Sequence, residues 1–304
     1  MTTHGGPARP SRARRVAALA GLAALGWART SRAQADSIAS MGVEVSPYAR
    51  TGFDPRLQVG STAFRVALSA PIVLGGGRTI LLPGVSYERL EFTGRAPDTL
   101  GRPPQNSGFG KTLHAPMVTF TAVHAVTRKL SLIASVNEGF ASDFQSRDSL
   151  EFLFVGRLIG IYKLSDQLSL GAGVGYDRRT GQLTPIPLLP INWQFTPRWR
   201  VRGTFPAFLG VDHRASSWLT ASLRGAFEGN RFYLSSDEGR QNLQLAISTI
   251  SVGPRLTFDL HPFLHLDVYT AVPVYRRYEA FLDNRSVFDA SIRPVVTYGL
   301  RLWV

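Results

Sequence analysis

After residue 36 the chain shows neither a long helical apolar stripe nor a run of about eighteen apolar residues; what recurs is alternation with a period of two. In "LSLGAGVGYDR", Leu168, Leu170, Ala172, Val174 and Tyr176 fall on one face, with Ser169, three glycines and Asp177 on the other. "WRVRGTF" sets Trp199, Val201 and Phe205 against Arg200, Arg202 and Thr204. "FLHLDVYTAV" sets Leu264, Leu266 and Val268 against His265, Asp267 and Tyr269. Successive side chains of a strand point to opposite faces, so each segment is a ribbon with one apolar and one polar side. Such ribbons must hide their apolar sides, either in the dry core of a sandwich or in lipid around a barrel.

The connections separate these alternatives. Five short turns each lead into a strand that opens on an apolar residue: "VTRKLSL" around Thr127–Lys129, "LSDQLSL" around Ser165–Gln167, "FTPRWRV" around Thr196–Arg198, "FEGNRFYL" around Glu228–Asn230 and "DLHPFLHL" around Asp259–Pro262. Their centres are 31–38 residues apart, enough for two strands and one longer loop. "LGGGRT" at Leu74–Thr79 reads as a sixth turn of this kind. The intervening loops, such as "TGRAPDTLGRPPQNSGFGKT" and "SSDEGRQN", are longer and more polar. Short turns alternating with long loops are the connectivity of a barrel with a periplasmic and an outer end. Tyr162, Phe195, Trp199, Phe227, Phe232, Phe258, Phe263 and Trp303 cluster near the short turns, as an interfacial aromatic belt requires. A soluble sandwich would carry lysine and glutamate on its polar faces, yet the only lysines are Lys111, Lys129 and Lys163. The expected fold is all-β: an antiparallel up-and-down transmembrane β-barrel of 12–14 strands.

The first residues read as an export signal. "MTTHGGPARPSRARR" carries four arginines and no acid, and "VAALAGLAALGWA" (Val16–Ala28) is an apolar run too short to span a membrane as a helix. Ala33–Gln34–Ala35 supplies a small-x-small cleavage site, so residues 1–35 are expected to leave and residues 36–304 to form the barrel domain. Losing six arginines lowers the 34 basic residues to 28 against 21 acids, a net charge of +7 in place of +13. No basic tract with interleaved aromatics remains, which argues against nucleic acid. The absence of cysteine excludes disulfides, thiolate metal sites and a lipoprotein anchor.

The chain ends "VVTYGLRLWV", with Val296, Tyr298, Leu300, Leu302 and Val304 on one face. This is strand pattern to the last residue, as expected of a final strand that must pair with the first, because no edge can face hydrocarbon. The ending resembles the C-terminal assembly signal of bacterial outer-membrane proteins, with Val304 where that signal usually has Phe. The stretch "LGAGVGYDRRTGQLTPIPLLPINWQFTPRWRVRGTFPAFLGV" resembles a bacterial outer-membrane β-barrel family of uncharacterised function. The resemblance implies the fold, residence in the outer membrane among lipid and lipopolysaccharide, and delivery by the barrel-assembly machinery. It brings no catalytic residues with it.

Strands about 4.8 Å apart and tilted about 40° give a backbone radius of roughly 12–14 Å, so the lumen is narrow. Alternation turns Glu44, Arg65, Glu151, Arg157, Asp177, Arg200, Arg202, Arg224, Arg255, His265, Asp267, Arg293 and Arg301 inward. The excess of arginine would attract a small anionic solute. Pairing among these groups would instead plug and stiffen the barrel, and the narrow radius favours that reading.

An enzyme would need a catalytic constellation. His213 with Asp212 and Ser216 or Ser217 is the only local group of the right types, and adjacent strand residues diverge. G-x-S-x-G, H-E-x-x-H and P-loop motifs are absent. The expectation is a non-enzymatic barrel, structural or a small-solute channel, with no catalytic, cofactor or metal residue assigned. The alternatives are an outer-membrane lipid- or ester-hydrolysing enzyme and a soluble exported β-sandwich that binds a partner.

Overall fold

Every strand described below pairs antiparallel with its neighbours, and the pairings return to their starting point. The computed structural model describes residues 42–52, 58–95, 112–145, 152–177, 185–234, 243–262, 264–283, 285–291 and 296–303. The expected signal segment and cleavage site and most of the long polar loops lie outside the described residues, as do Glu151 and Arg293.

Sixteen segments form the sheet: β1 (Gly42–Gly52), β2 (Gln58–Ser69), β3 (Ile72–Leu74), β4 (Thr79–Arg95), β5 (Thr112–Ala125), β6 (Leu130–Phe140), β7 (Phe152–Lys163), β8 (Leu168–Asp177), β9 (Ile186–Trp193), β10 (Trp199–Phe205), β11 (Phe208–Arg214), β12 (Leu219–Leu234), β13 (Leu243–His261), β14 (Leu264–Leu282), β15 (Arg285–Ser291) and β16 (Thr297–Trp303). Two pairs of these segments are single staves. Ser69 faces Gly84 and Ile72 faces Leu81, one unbroken register interrupted only at Ala70–Pro71, and Ala70 still donates to the Pro83 carbonyl at 3.1 Å. β15 and β16 likewise hold one register along β14, from Arg277 opposite Ser291 to Ala271 opposite Thr297. The described residues therefore build a ring of fourteen staves, closed where β16 lies between β1 and β14 and where β14 pairs with β13.

Among the described residues, four of the short turns share one device. The Thr127 hydroxyl accepts the N–H groups of Lys129 and Leu130, at 3.1 and 2.9 Å. Ser165 does the same for Gln167 and Leu168, Thr196 for Arg198 and Trp199, and Ser216 for Trp218. A hydroxyl that mimics a turn carbonyl fixes the reversal without glycine. The "LGGGRT" turn works differently: Gly75, Gly76 and Gly77 all have positive φ, which side chains with a Cβ disfavour.

One expected turn is absent. Glu228–Asn230 lies inside β12, and the reversal before that strand occurs at Ala215–Trp218. Gly229 and Asn230 suggested a hairpin, but no Ser or Thr stands where the other turns have one. Their backbone instead continues the ladder with Ser248 and Ile247.

The outer surface is apolar along the staves. Val118, Leu158, Val174, Leu223, Tyr298 and Leu300 all stand exposed on it. At the short-turn end Tyr162, Trp193, Phe195, Trp199 and Trp218 form an exposed aromatic band, with Trp218 stacked on Phe258 at 6.1 Å. That is the exterior of a membrane-spanning barrel. Three members of the expected belt do not belong to it. Phe232 is wholly buried at the opposite end, because β12 runs on through the supposed turn. Phe227 lies mid-stave for the same reason. Trp303 faces inward and stacks on His265 at 4.1 Å, as its place in the alternation with Thr297, Gly299 and Arg301 dictates. The side chain of Phe263 lies outside the described residues.

Candidate functional site: the lumen

The inner face divides into two arcs. On β4 to β9 the inward positions carry Leu82, Val123, Ile133, Ile159 and Leu188, which pack into one buried cluster. β7 shows why alternation understated this: Leu153, Val155, Ile159 and Ile161 face inward while Phe152 and Leu158 face outward, so both faces are apolar. The other arc carries polar pairs. Arg202 Nε meets Asp212 Oδ2 at 2.6 Å, and Arg200 Nε donates to Asn192 Oδ1 at 2.6 Å. Asp267 accepts from Arg255 Nη1 at 3.2 Å and from the Thr257 hydroxyl at 2.7 Å. Asp259 Oδ1 lies 2.7 Å from His265 Nδ1. Arginines also stack on rings: Arg224 on Phe208 at 4.2 Å and Arg301 on Trp303 at 5.9 Å. Two contacts tie distant staves together. Glu88 accepts from Arg65 at 3.1 Å and, on its other oxygen, from Asn230 of β12 at 3.1 Å. Arg276 donates to the Ser61 hydroxyl at 3.2 Å.

Of the expected inward set, Arg65, Arg157, Asp177, Arg224, Arg255 and Arg301 line the space inside the ring, and Arg200, Arg202, His265 and Asp267 pair with other inner-face groups. The side chain of Glu44 is outside the described residues. Sequence reading passed over Glu88, Asp212 and Arg276 as lumen groups. Arg276 was hidden by a bulge: Ile250 faces Tyr275 but Ser251 faces Pro273, so Val274 is extra and the inward parity flips to Arg276, Tyr278 and Ala280. The weighed triad does not assemble. Asp212 faces inward to Arg202, the His213 ring lies tilted against Trp199 at 4.4 Å on the lipid side, and the Ser216 hydroxyl caps its own turn.

At the long-loop end the lumen is filled. Leu113, Leu153, Phe232, Leu245 and Tyr278 are each at most 1% exposed and pack together from β5, β7, β12, β13 and β14. Burying such side chains stabilises by roughly 1.5–3 kcal/mol apiece. The end of β12 is covered on both faces, since Phe232, Tyr233 and Leu234 are consecutive and all buried. Ala141–Asp143 continue β6 in register, with Ser142 and His114 exchanging backbone hydrogen bonds of 2.8 and 2.9 Å. Their other edge takes β12: Tyr233 N–H donates to the Ala141 carbonyl at 2.8 Å, and Asp143 N–H donates to the Tyr233 carbonyl at 3.3 Å. β6 and β12 are six places apart in the ring of fourteen. Their staves stand roughly 27 Å apart around an open barrel of that size, against about 4.8 Å for paired strands. The tip of β12 therefore crosses the mouth. Below it lies a cavity of about 570 Å³.

Comparison with known proteins gives one family. The model of the family described as "Domain of unknown function (DUF6268)" matches residues 105–288. No curated relative matches the chain. Among solved structures, the toluene transporter TodX of P. putida is 11% identical, with 87% of this chain and 89% of that one covered and a TM-score of 0.42. The NanC porin is 9% identical over 86% and 98%, TM-score 0.37. LpxR from Salmonella typhimurium is 6% identical over 86% and 99%, TM-score 0.39.

Proposed function

The chain belongs to the family described as "Domain of unknown function (DUF6268)", and from that premise we propose that it is an outer-membrane barrel with a gated lumen, a small-solute pore that rests closed. The observation that carries this reading is the bridge from Tyr233 to Ala141 and Asp143 across the mouth, sealed by the apolar plug beneath it. An apolar constriction stops ions by excluding water, without need of a charged barrier. A purely structural barrel would have no use for a cavity below its plug. In this pore the arginine-rich arc keeps the wall rigid through its ion pairs and sets an anionic preference for what passes.

Single-channel recording in planar bilayers tests it. The wild type should stay nearly silent at rest. Tyr233→Pro removes the donor to Ala141 and spares the β12–β13 ladder, because the backbone groups of Tyr233 point to the bridge. Combined with Phe232→Ser, it should raise the open fraction roughly ten-fold or more. A Ser142→Cys/Tyr233→Cys pair, bridged residues in a chain without native cysteine, should lock the mouth when oxidised. A wild-type pore that conducts freely, unchanged by either variant, would overturn the proposal.

A further inference from the structure

We propose that the cavity beneath the plug is a binding site for an amphipathic organic anion, an apolar body of small-molecule size bearing a carboxylate. The inference rests on the closed-mouth reading and deepens it by naming what the lumen holds. At about 570 Å³ the space lies within the range of small-molecule pockets, roughly 300–1,000 Å³, and is too small for a polymer.

Its walls differ in kind. Leu90, Met117, Leu153, Val155, Ile186 and Leu188 line one side, from β4, β5, β7 and β9, with Glu88 and Arg157 among them. The opposite side presents Thr204, Thr249, Ser251 and Thr297 together with arginines of β12, β13, β14 and β16. Among the described residues six arginines line the cavity: Arg65, Arg157, Arg224, Arg255, Arg276 and Arg301. Among the same residues three acids line it, Glu88, Asp177 and Glu228. The positive surplus persists when Asp267, which holds Arg255 from behind, is added to the acids.

Arg255 shows how such a group is held ready. Asp267 takes its Nη1 at 3.2 Å and the Tyr269 ring lies 5.0 Å beneath it, while the residue still lines the cavity. A fixed guanidinium with a remaining donor recognises a carboxylate at low entropic cost. The apolar wall then takes the body of the ligand. A neutral molecule of the same shape would gain only the second contact, and a cation would meet net repulsion.

The test uses three soluble compounds with one shared body: 4-phenylbutyrate, 4-phenylbutan-1-ol and 4-phenylbutylammonium. Each is titrated calorimetrically into the full barrel in lipid nanodiscs, with empty discs subtracted. The butyrate should bind about ten-fold more tightly than the alcohol, the discrimination of one charge-assisted contact, and the ammonium should give no heat above blank. Arg255→Gln/Asp267→Asn removes the pair together, so no lone buried charge threatens folding, and should abolish the preference for butyrate over alcohol. Leu188→Asn should weaken both. Equal heats from all three compounds, or none from any in a barrel that remains heat-modifiable, would overturn the proposal. The conductance experiment is independent of it. A barrel that conducts at rest yet discriminates the compounds defeats the closed mouth alone; a silent barrel without discrimination defeats the anion site alone.

Discussion

Truncation before Leu300 is expected to remove the folded protein from the membrane fraction. β16 pairs on both edges, with Gly42–Val45 of β1 opposite Leu300–Trp303 and with His265–Val268 of β14 opposite the same four residues. Deleting them leaves two facing rows of backbone donors and acceptors in hydrocarbon, at a cost of several kcal/mol for each unsatisfied group. The inner face loses Arg301 and the Trp303 ring that stacks on His265. β1 and β14 cannot close the gap as an antiparallel pair, because both run antiparallel to β16 and so parallel to each other. Unheated gel mobility of outer-membrane fractions reads the result. Normal amounts of heat-modifiable protein would show that the seam closes without this segment.

Leu158→Arg should cost about 2–4 kcal/mol, the penalty for a cation on the lipid face at mid-depth. Leu158 is 54% exposed near the middle of β7, paired with Ala134 and Val174 on the outer surface. Its neighbour Arg157 lines the cavity. Arg157→Leu should therefore be tolerated, and Arg157→Leu/Leu158→Arg, which keeps the composition, should be as damaged as Leu158→Arg alone. Urea midpoints in liposomes provide the comparison. If the swap behaves like wild type, the two residues have been assigned to the wrong faces. Leu170, by contrast, stands two residues from the Ser165–Leu168 turn, close to the headgroups, where the same change should cost less.

These faces were readable because a membrane barrel writes its register into every strand. The hydroxyl turns were readable too: Thr127, Ser165 and Thr196 each stand three residues before an apolar strand start. Ser216 meets the same rule before Leu219, whereas Glu228 does not, so the misplaced turn had a local signature. The lumen was harder. Strands such as β7 are apolar on both sides, and a pattern that assigns every apolar residue to lipid cannot see an inner core. The bulge at Val274 was invisible for another reason: one extra residue exchanges the faces of all that follow, and only the partner strand reveals it. The crossing of β12 to Ala141–Asp143 depends on residues some ninety positions apart in the chain, which no local periodicity encodes.

That crossing divides the molecule into two units of unequal cooperativity. Around the circumference, each stave is clamped along its length by two neighbours, so loosening one requires loosening all. The mouth is joined to the far wall by two backbone hydrogen bonds through Tyr233 and by the packing of Phe232 into the plug with Leu113 and Leu153, and Ser142 adds two hydrogen bonds to its own side. Such a junction can open by local unfolding, at a free energy set by its own few contacts rather than by the ring's. A barrel built this way can be rigid enough to endure in lipid while one segment samples another arrangement, and selection can soften the junction without making the wall leak.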